Sequence, residues 1–385
     1  MTMTTNKNHN SPNVPNLRFP EFEGEWKKTK FGDIATGFDY GMNAAAKNYD
    51  GVNKYIRITD IDEASSTYTD KDIVSPDGIL TDNYLVNNRD ILLARTGAST
   101  GKSYLYKQSD GKLYYAGFLI RANVTTHDPY FVFSQLHTHR YWRWVSIMSA
   151  RSGQPGINSQ EYSSFPIYTT SIEEESKIAK LLSLLDERIA TQNKIIEDLK
   201  KLKSAISERL FKSVKGSIVL LSDICDIVKG KQINGENLSE RGRYYVMNGG
   251  TEPSGYYDDY NVEANTISIS EGGNSCGYVQ FNTFPFWSGG HCYSIQNVTG
   301  NVDNLYLYHY LKSNEDNIMK LRIGSGLPNI QKKDLAMFKI IVPTLEQQMT
   351  ISTFLSSIER KAEIERRIQN AIQKQKLYLL QQMFI

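Results

Sequence analysis

The sequence predicts an α+β protein in which two similar, mostly β lobes are separated by two long helices. The helices are expected to pair as an antiparallel coiled coil, with the halves of the chain forming a pseudo-two-fold internal repeat. The repeat is the first observation behind this: residues 152–211 realign without a gap on residues 325–384, at a constant offset of 173, with 14 of 60 positions identical. A repeat of this length dictates the architecture. The second and third observations are a heptad pattern that closes each copy and a strand-rich region that precedes it.

The repeat divides the 385-residue chain into five segments. They are an N-terminal arm over residues 1–16, a first lobe over 17–170, a first long helix over 171–215, a second lobe over 216–343 and a second long helix over 344–385. The arm is rich in Asn, Thr and Pro, which predicts disorder. A hydrophobic content of 40% in a chain of this length is enough to form two or three buried cores.

Short strand patterns and turns dominate the first lobe. The clearest strand patterns are residues 54–58, 90–94 and 102–106. One helix is predicted over residues 130–149, because Asp128 and Pro129 form a favoured helix start. The second lobe repeats this order more weakly, and residues 264–277 align with residues 88–101 at an offset of 176. The two lobes have therefore diverged more than the helices, which suggests two different recognition surfaces on a shared frame.

Each long helix has a recognisable start and an unusual middle. Ser171 and Thr344 are candidate N-caps, and Glu174 and Gln347 follow three residues later at a capping-box spacing. The heptad pattern continues for about 40 residues, or about 60 Å. Its seam becomes polar halfway along in both helices, at Gln192, Lys203, Glu365, Gln369 and Lys376. We expect the helices to pair with polar centre against polar centre; two surface helices of one large core are the plainer alternative.

Composition narrows the function classes. Because the net charge is only +2, any binding of nucleic acid must depend on local patches of basic residues. The three cysteines, Cys225, Cys276 and Cys292, have no metal-ligand spacing and suggest free thiols in a reducing cytoplasm. No signal peptide and no apolar run of about 18 residues is present, so no membrane span is expected. The six histidines form no metal-binding pattern.

Two short segments partly match motifs that are known from nucleotide-binding proteins and from methyltransferases. Residues 97–103 approach a phosphate-binding loop, but only three residues separate the glycines and a strand pattern follows. A tight glycine turn between two strands is the better interpretation, with Lys102 placed to touch a nucleic-acid backbone. Residues 128–131 approach the Asp-Pro-Pro-Tyr tetrapeptide of amino-methyltransferases but lack the second proline. Here a helix start is the better interpretation.

Basic and amide side chains beside loops are the remaining candidates for chemistry. Arginine suits guanine edges, lysine suits phosphates, and asparagine or glutamine suits adenine. The candidate nucleic-acid contacts are Lys47, Arg57, Arg95, Lys102, Arg151, Gln154, Lys229, Lys231, Arg243, Asn274, Arg322 and Asn329. Taken singly, each such residue is more often an ordinary solvated or capping side chain.

These features together resemble the DNA-specificity subunit of type I restriction–modification enzymes, over nearly the full chain. The motifs that carry the resemblance are the loops 152–157 and 325–330, the helix starts at Glu173 and at 343–347, the element 90–102, and the opening Trp26 with 31–34. The second lobe departs from the pattern at Glu271, which stands in the place of Arg95.

The resemblance implies a function and a set of partners. Each lobe would be a target-recognition domain that reads one half of a split, asymmetric site on double-stranded DNA, and the coiled coil would fix the gap between the halves. Two methyltransferase subunits would dock on the helices and their preceding loops, and restriction/translocase subunits would join them. The residues assigned to partner binding are Glu173, Ile178, Leu182, Glu346, Ile351 and Leu355. The chain would carry no catalytic residue and no cofactor, and S-adenosylmethionine, ATP and Mg²⁺ would bind to the partners.

Two other classes of function remain open from the sequence. A metal-dependent nuclease or hydrolase would use paired carboxylates, either Asp60 with Asp62 or Asp258 with Asp259. A protein-binding scaffold would use the lobes as docking modules. Metal-dependent cleavage by the pure chain would mark the first, and an unchanged DNA target after exchange of a lobe would mark the second.

Overall fold

The computed structural model describes residues 13–150, 155–324, 326 and 328–385. Of the predicted N-terminal arm, residues 1–12 lie outside the described residues. Contacts divide the chain into two compact units: Met1–Thr191 with Gln369–Ile385, and Gln192–Ile368. Each unit thus contains one lobe and a stretch of both long helices. The five-segment boundaries given above stay a prediction.

The first half of the chain contains ten strands and five helices within the described residues. The strands are β1 (Lys27–Lys30), β2 (Ala35–Tyr40), β3 (Ala45–Asn48), β4 (Lys54–Ile56), β5 (Val74–Asp77), β6 (Asp90–Ala94), β7 (Ser103–Leu105), β8 (Leu113–Tyr115), β9 (Leu119–Val124) and β10 (Pro166–Thr169). The helices are α1 (Phe31–Ile34), α2 (Pro129–Gln135), α3 (His139–Ser149), α4 (Ser159–Ser164) and the long α5 (Ile172–Ser213).

The second half follows the same plan, with nine strands and five helices within its described residues. The strands are β11 (Ser217–Leu220), β12 (Asp226–Lys229), β13 (Tyr244–Met247), β14 (Tyr256–Tyr257), β15 (Thr266–Ser270), β16 (Val279–Asn282), β17 (Trp287–Ser288), β18 (Cys292–Gln296) and β19 (Lys339–Val342). The helices are α6 (Leu221–Ile224), α7 (Asn304–Ser313), α8 (Glu315–Met319), α9 (Lys332–Ala336) and the long α10 (Leu345–Met383).

Sheet topology confirms that the lobes are copies of one fold. The central sheet of the first lobe has the order β2-β9-β6-β7, and that of the second lobe has the order β12-β18-β15-β16. All neighbours in both sheets are antiparallel. Outside these sheets, one parallel pair recurs, β4 with β8 and β13 with β17. An antiparallel pair also leads into each long helix, β1 with β10 and β11 with β19.

The single helix predicted over residues 130–149 is wrong, because the chain forms α2 and α3 instead. The predicted start is correct: the carboxylate of Asp128 accepts hydrogen bonds from the backbone N–H groups of Tyr130 and Phe131, at 2.9 and 3.0 Å. The break follows from a second cap. Thr138 has an extended backbone, and its side chain accepts from the N–H of Tyr141 at 3.4 Å, so a new helix begins there.

Both long helices contribute to the core of each unit. In the first unit, Ile178 and Leu182 near the start of α5 share a buried cluster with Leu380 and Met383 near the end of α10. In the second unit, Phe211 near the end of α5 shares a buried cluster with Leu355 near the start of α10. The start of one helix therefore packs beside the end of the other, which confirms the antiparallel pairing.

Polar groups join the helices at matching repeat positions. In the first unit the carboxylate of Asp186 lies 2.5 Å from the ammonium of Lys376. In the second unit Lys203 forms the corresponding ion pair with Glu359. Adding 173 to 186 gives 359, and adding 173 to 203 gives 376, so both bridges use the same two repeat positions. The polar middle of the seam is thus paired across the helices, as the sequence predicted.

Candidate nucleic-acid interface

A glycine turn and a loop of the repeat meet beside the central sheet of the first unit. We call residues 97–101 the glycine turn and residues 155–157 the repeat loop. Gly97 N donates to Pro155 O at 3.0 Å, and Ile157 N donates to the carbonyl of Arg95 at 3.0 Å. The loop is therefore held against the end of β6, and Arg95 is the residue at which strand, turn and loop meet.

The second unit repeats this geometry bond for bond. Its glycine turn is residues 273–277 and its repeat loop is residues 328–330. Gly273 N donates to Pro328 O at 3.0 Å, and Ile330 N donates to the carbonyl of Glu271 at 2.8 Å. The loops differ by 173 and the turns by 176, as the sequence alignment predicted. Glu271 therefore occupies the position of Arg95 in three dimensions.

Packing explains the last glycine of each turn. Gly101 has φ +93° and Gly277 has φ +89°, a conformation that side chains disfavour. A Cβ atom at Gly101 would lie 2.7 Å from Val145 Cγ1, and one at Gly277 would lie 2.8 Å from Met319 Cγ. In the first unit the chain continues into β7 instead of a helix. The turn is therefore a packed strand connection and lacks the helix that would face a bound phosphate.

Arg95 lies between two exposed aromatic rings in the first unit. Its Nε donates to Gly117 O at 3.0 Å. Its Cζ lies 4.7 Å from the ring centre of Tyr40 and 5.9 Å from that of Phe118. Tyr40 is 43% exposed and Phe118 is 59% exposed. Within the described residues, the guanidinium thus contacts one carbonyl and two rings, which hold its plane in place.

The Tyr40 hydroxyl is tied to the same surface. It accepts a hydrogen bond from the backbone N–H of Ser159 at 3.3 Å. Hydrogen bonding from Ser159 lowers the pKa of Tyr40, and the positive charge of Arg95 acts in the same direction. The ring is therefore held by this hydrogen bond and by the contact with Arg95, while 43% of the residue stays exposed.

Backbone pairing shows which residues of the second unit match Arg95 and Phe118. Arg95 N donates to Phe118 O at 3.1 Å in the first unit. Glu271 N donates to His291 O at 2.9 Å in the second unit. Phe118 and His291 therefore hold equivalent positions before the strands β9 and β18.

The match for Tyr40 follows from strand register. Tyr40 pairs with Ile120 across β2 and β9. Lys229 pairs with Tyr293 across β12 and β18. Ile120 and Tyr293 each stand two residues after the matched positions just described. Tyr40 and Lys229 are therefore equivalent.

The same three backbone positions thus carry opposite chemistry in the two units. We call them the turn cluster: Tyr40, Arg95 and Phe118 in the first unit, and Lys229, Glu271 and His291 in the second. Lys229 Nζ lies 2.6 Å from Glu271 Oε1, and His291 Nδ1 lies 3.8 Å from Glu271 Oε2. Glu271 is buried, whereas the side chains of Lys229 and His291 are 53% and 64% exposed. An arginine among aromatic rings in one unit is replaced by a carboxylate beside a lysine and a histidine in the other.

Sequence reasoning found only part of this cluster. Arg95 and Lys229 were predicted as nucleic-acid contacts, whereas Tyr40, Phe118 and His291 were missed. The missed residues lie on β2 or just before β9 and β18, far from the glycine turn along the chain. Only the strand register brings them to it.

Arg57 is the predicted contact whose guanidinium is most fully occupied. Its Nε and Nη2 lie 2.9 and 2.8 Å from the two carboxylate oxygens of Asp60, and Nη2 also lies 3.1 Å from Asp72. Hydrogen bonding to Asp60 raises the pKa of Arg57. This pairing also uses Asp60 itself, while Asp62 accepts hydrogen bonds from Ser65 in the following turn. Asp60 and Asp62, the first carboxylate pair of the nuclease alternative, thus serve local structure.

Two other predicted contacts of the first unit are lysines, each with one ion-pair partner. Lys47 lies 3.7 Å from the exposed Asp77, and Lys102 lies 3.1 Å from the exposed Glu63. The carboxylate of each pair is solvated, which weakens the ion pair, so both ammonium groups can exchange partners with a phosphate. Arg151 and Gln154 lie outside the described residues.

In the second unit the predicted contacts fall into two groups. Asn274 lies on the glycine turn, and Asn329 lies on the repeat loop, where it forms a backbone bridge to Gly272. Both are exposed and adjoin the turn cluster. Lys231 and Arg243 are also exposed, the latter with its Cζ 5.2 Å from the ring centre of the next residue. Arg322 is exposed and precedes the repeat loop.

The residues assigned to partner binding need correction. Ile178, Leu182 and Leu355 are at most 1% exposed and belong to the core of their own unit. Ile351 is half-buried against the second core. Their side chains hold the long helices in place and leave little surface for a partner. Glu173 and Glu346 are exposed at the helix starts and keep the assigned role as a prediction.

Two features are absent from the described residues. No group of three or more His, Cys, Asp or Glu side chains in them has an arrangement suited to a metal ion. None of their helices combines the length and apolar character that crossing a membrane requires.

Comparison with known proteins identifies the family. The sequence model described as type I restriction modification DNA specificity domain matches residues 23–201 and again residues 216–374. The two matches cover most of the chain and fall on the two copies of the repeat. The chain belongs to this family.

Relatives and solved structures agree with that assignment. The type I restriction enzyme MjaVIII specificity subunit of Methanocaldococcus jannaschii is 25% identical, with 96% of this chain and 94% of that protein aligned. A putative type I specificity subunit of Mycoplasma pneumoniae is 32% identical over 37% of this chain and 38% of that protein. The crystal structure of the type I restriction–modification S subunit from M. genitalium has a TM-score of 0.69 at 17% identity, covering 97% of this chain and 99% of that chain.

The family and the fold define the class of this protein. It is a DNA sequence-recognition subunit of the type I restriction–modification kind. The nuclease and scaffold alternatives find no support in these comparisons.

Proposed function

We propose that this chain reads a bipartite, asymmetric DNA site, with one half of the site read by each unit. The observation that carries the proposal is the turn cluster. One backbone frame, repeated bond for bond, presents Arg95 between aromatic rings in the first unit and Glu271 beneath Lys229 and His291 in the second. A shared frame supports a common way of approaching DNA, and different side chains support different base preferences.

The chain acts within a complex that includes two methyltransferase subunits and restriction/translocase subunits. Exposed apolar side chains on the long helices support this part of the proposal. In the second unit these include Ile195, Leu202, Met349, Phe354 and Ile364, which are 37 to 55% exposed. Apolar groups in such number on a helix pair are typical of a surface that another protein covers. A net charge of only +2 also suits a reader whose partners supply many of the phosphate contacts.

The chemistry belongs to the partners in this proposal. The methyltransferase subunits bind S-adenosylmethionine and transfer its methyl group to adenine, and the restriction/translocase subunits use ATP and Mg²⁺. This chain contributes DNA recognition and positioning. Metal-dependent cleavage of DNA by the pure chain would argue for the nuclease alternative instead.

Mapping of methylated adenines tests the proposed function. The chain is produced together with its methyltransferase subunit in a host that lacks other adenine methylation, and modified sites are mapped across the genome. We expect one asymmetric motif made of two parts with a fixed gap. The isolated chain should bind that motif weakly, and the complex should bind it tightly. Methylation without a two-part motif, or equally tight and specific binding by the chain alone, would contradict the proposal.

A further inference from the structure

We propose that the turn cluster selects bases in each half-site, and that Arg95 contacts a guanine. The inference rests on the proposed function and names the residues that give the two halves different sequences. Tyr40 and Phe118 orient Arg95 in the first unit. Lys229 and His291 make the contacts in the second unit.

The fixed orientation of the Arg95 guanidinium and its available N–H groups support a contact with a base. Its Nε is bound to Gly117 O, and its plane is held by the rings of Tyr40 and Phe118. Among the described residues, no hydrogen bond occupies its two terminal nitrogens, so they are available as a donor pair. Paired arginine N–H groups match the O6 and N7 atoms of guanine in the major groove. A guanidinium that is already ordered loses little conformational entropy when it binds.

Exposure of the two rings supports the same conclusion. Phe118 is 59% exposed and Tyr40 is 43% exposed, and both rings flank the charged guanidinium of Arg95. Aromatic and apolar side chains beside an arginine can contact the methyl group of thymine or the face of an unstacked base. The cluster therefore combines a donor pair with apolar surface, which is what reading two adjacent base pairs requires.

The second unit uses the same positions with the opposite central charge. Glu271 is only 6% exposed and accepts from Lys229 at 2.6 Å. The Tyr293 hydroxyl lies 3.1 Å from the same carboxylate oxygen. Glu271 is therefore a positioning residue, which fixes the exposed Lys229 ammonium and the neighbouring His291 ring. A lysine donates as a point charge and lacks the arginine fork, so this unit should prefer a different base pair.

The experiment measures base preference in the complex of the full chain with its methyltransferase subunit. Methylation is assayed on a duplex library in which each position of both half-sites carries all four base pairs. For Arg95→Ala we expect the preference for guanine at one position to fall by roughly tenfold to a hundredfold, with the other half-site unchanged. Arg95→Lys keeps the charge and should lose most of the same preference. Phe118→Ala changes an exposed ring and should weaken discrimination in the same half-site without a folding cost.

Two further variants separate base selection from general binding. Lys47→Ala in the same lobe should weaken methylation of all sequences alike, because a phosphate contact carries no sequence information. Glu271→Gln should change preference only in the other half-site. Arg95→Ala and Phe118→Ala complexes with unaltered base preferences at every position would overturn the inference. A wild-type complex without any two-part preference would instead overturn the proposed function on which the inference rests.

Discussion

The Nε2 atom of Gln192 donates to the backbone oxygen of Glu365 at 3.2 Å, and it also bonds to the Glu365 carboxylate. These residues are 173 apart and hold the same position in the two copies of the repeat. Both residues belong to the second unit. The contact therefore joins the two long helices there at the same repeat position. Both side chains are buried, so they fix the register where the apolar seam is interrupted.

Replacing Gln192 by Leu should lower the urea midpoint of unfolding. The change leaves the buried Glu365 carboxylate without its amide donor. The resulting loss of stability is larger than the net stabilisation that the hydrogen bond itself contributed. Combined Gln192→Leu and Glu365→Leu should restore the midpoint, because an apolar pair of similar size suits a helix seam. Lys194→Ala, an exposed change two residues along the helix, is the matched control and should have no effect. A single variant as stable as the wild type would contradict the central role of the contact.

The ion pair Asp186–Lys376 should couple favourably in a double-mutant cycle. Its side chains are 30% and 23% exposed, so solvent screens the pair only in part. We expect a coupling free energy of roughly 1 kcal/mol from Asp186→Ala, Lys376→Ala and the double variant. The cycle on Glu359 and Lys203 should give the same sign, since these residues occupy the same two repeat positions. Opposite signs in the two cycles would show that the two ion pairs, although at the same repeat positions, do not contribute alike to stability.

The buried His309 should make the protein less stable as the pH falls from about 6.5 to about 4. Burial lowers the pKa of His309 to about 4, although the carboxylate of Glu359 acts to raise it, and Lys203 lowers it further. Between these values the unfolded chain binds a proton that the folded chain does not, so the free energy of unfolding decreases with acidification. The loss approaches about 3 kcal/mol for this group.

Urea titrations at several pH values test this dependence. The slope of stability against pH should be smaller in His309→Asn than in the wild type. Part of the slope should persist, because the pKa of His137 is also lowered to about 4. The exposed His139→Gln is the control and should keep the full slope. An equal slope in His309→Asn and the wild type would mean that His309 takes up its proton equally in the folded and the unfolded chain.

Gly277→Ala should destabilise the second unit. The residue has φ +89°, and a Cβ would lie 2.8 Å from Met319 Cγ and 3.1 Å from the backbone of the same residue. We expect a loss of roughly 1–3 kcal/mol in the free energy of unfolding. Gly235→Ala is the control, because nothing lies within 4 Å of its Cβ position, and it should change stability by less than about 0.5 kcal/mol. Equal effects of the two changes would argue against a packed turn.

The sequence predicted those features that local pattern determines. The heptads over α5 and α10, the cap at Asp128 and the two glycine turns depend on residue types at short spacings, and all are present. The helix break at Thr138 was missed because the apolar pattern continues across it and a single hydroxyl decides the second start.

The turn cluster could not be predicted from the sequence for a geometric reason. Its members are equivalent at three different offsets: 229 − 40 gives 189, 271 − 95 gives 176, and 291 − 118 gives 173. No single alignment shift therefore places the two sets together. In the first unit a bulge between Gly37 and Asp39 also shifts β2 against β9, which moves Tyr40 relative to a regular strand.

Exchange of a lobe tests the central claim most directly. Residues 17–165 are replaced by the corresponding segment of a relative with a different target, and methylated adenines are mapped for the complex with the same methyltransferase subunit. If each unit reads its own half of the DNA site, one half of the motif changes, while the other half and the gap stay as they were. A motif that stays unchanged, or that changes in both halves, would contradict the account.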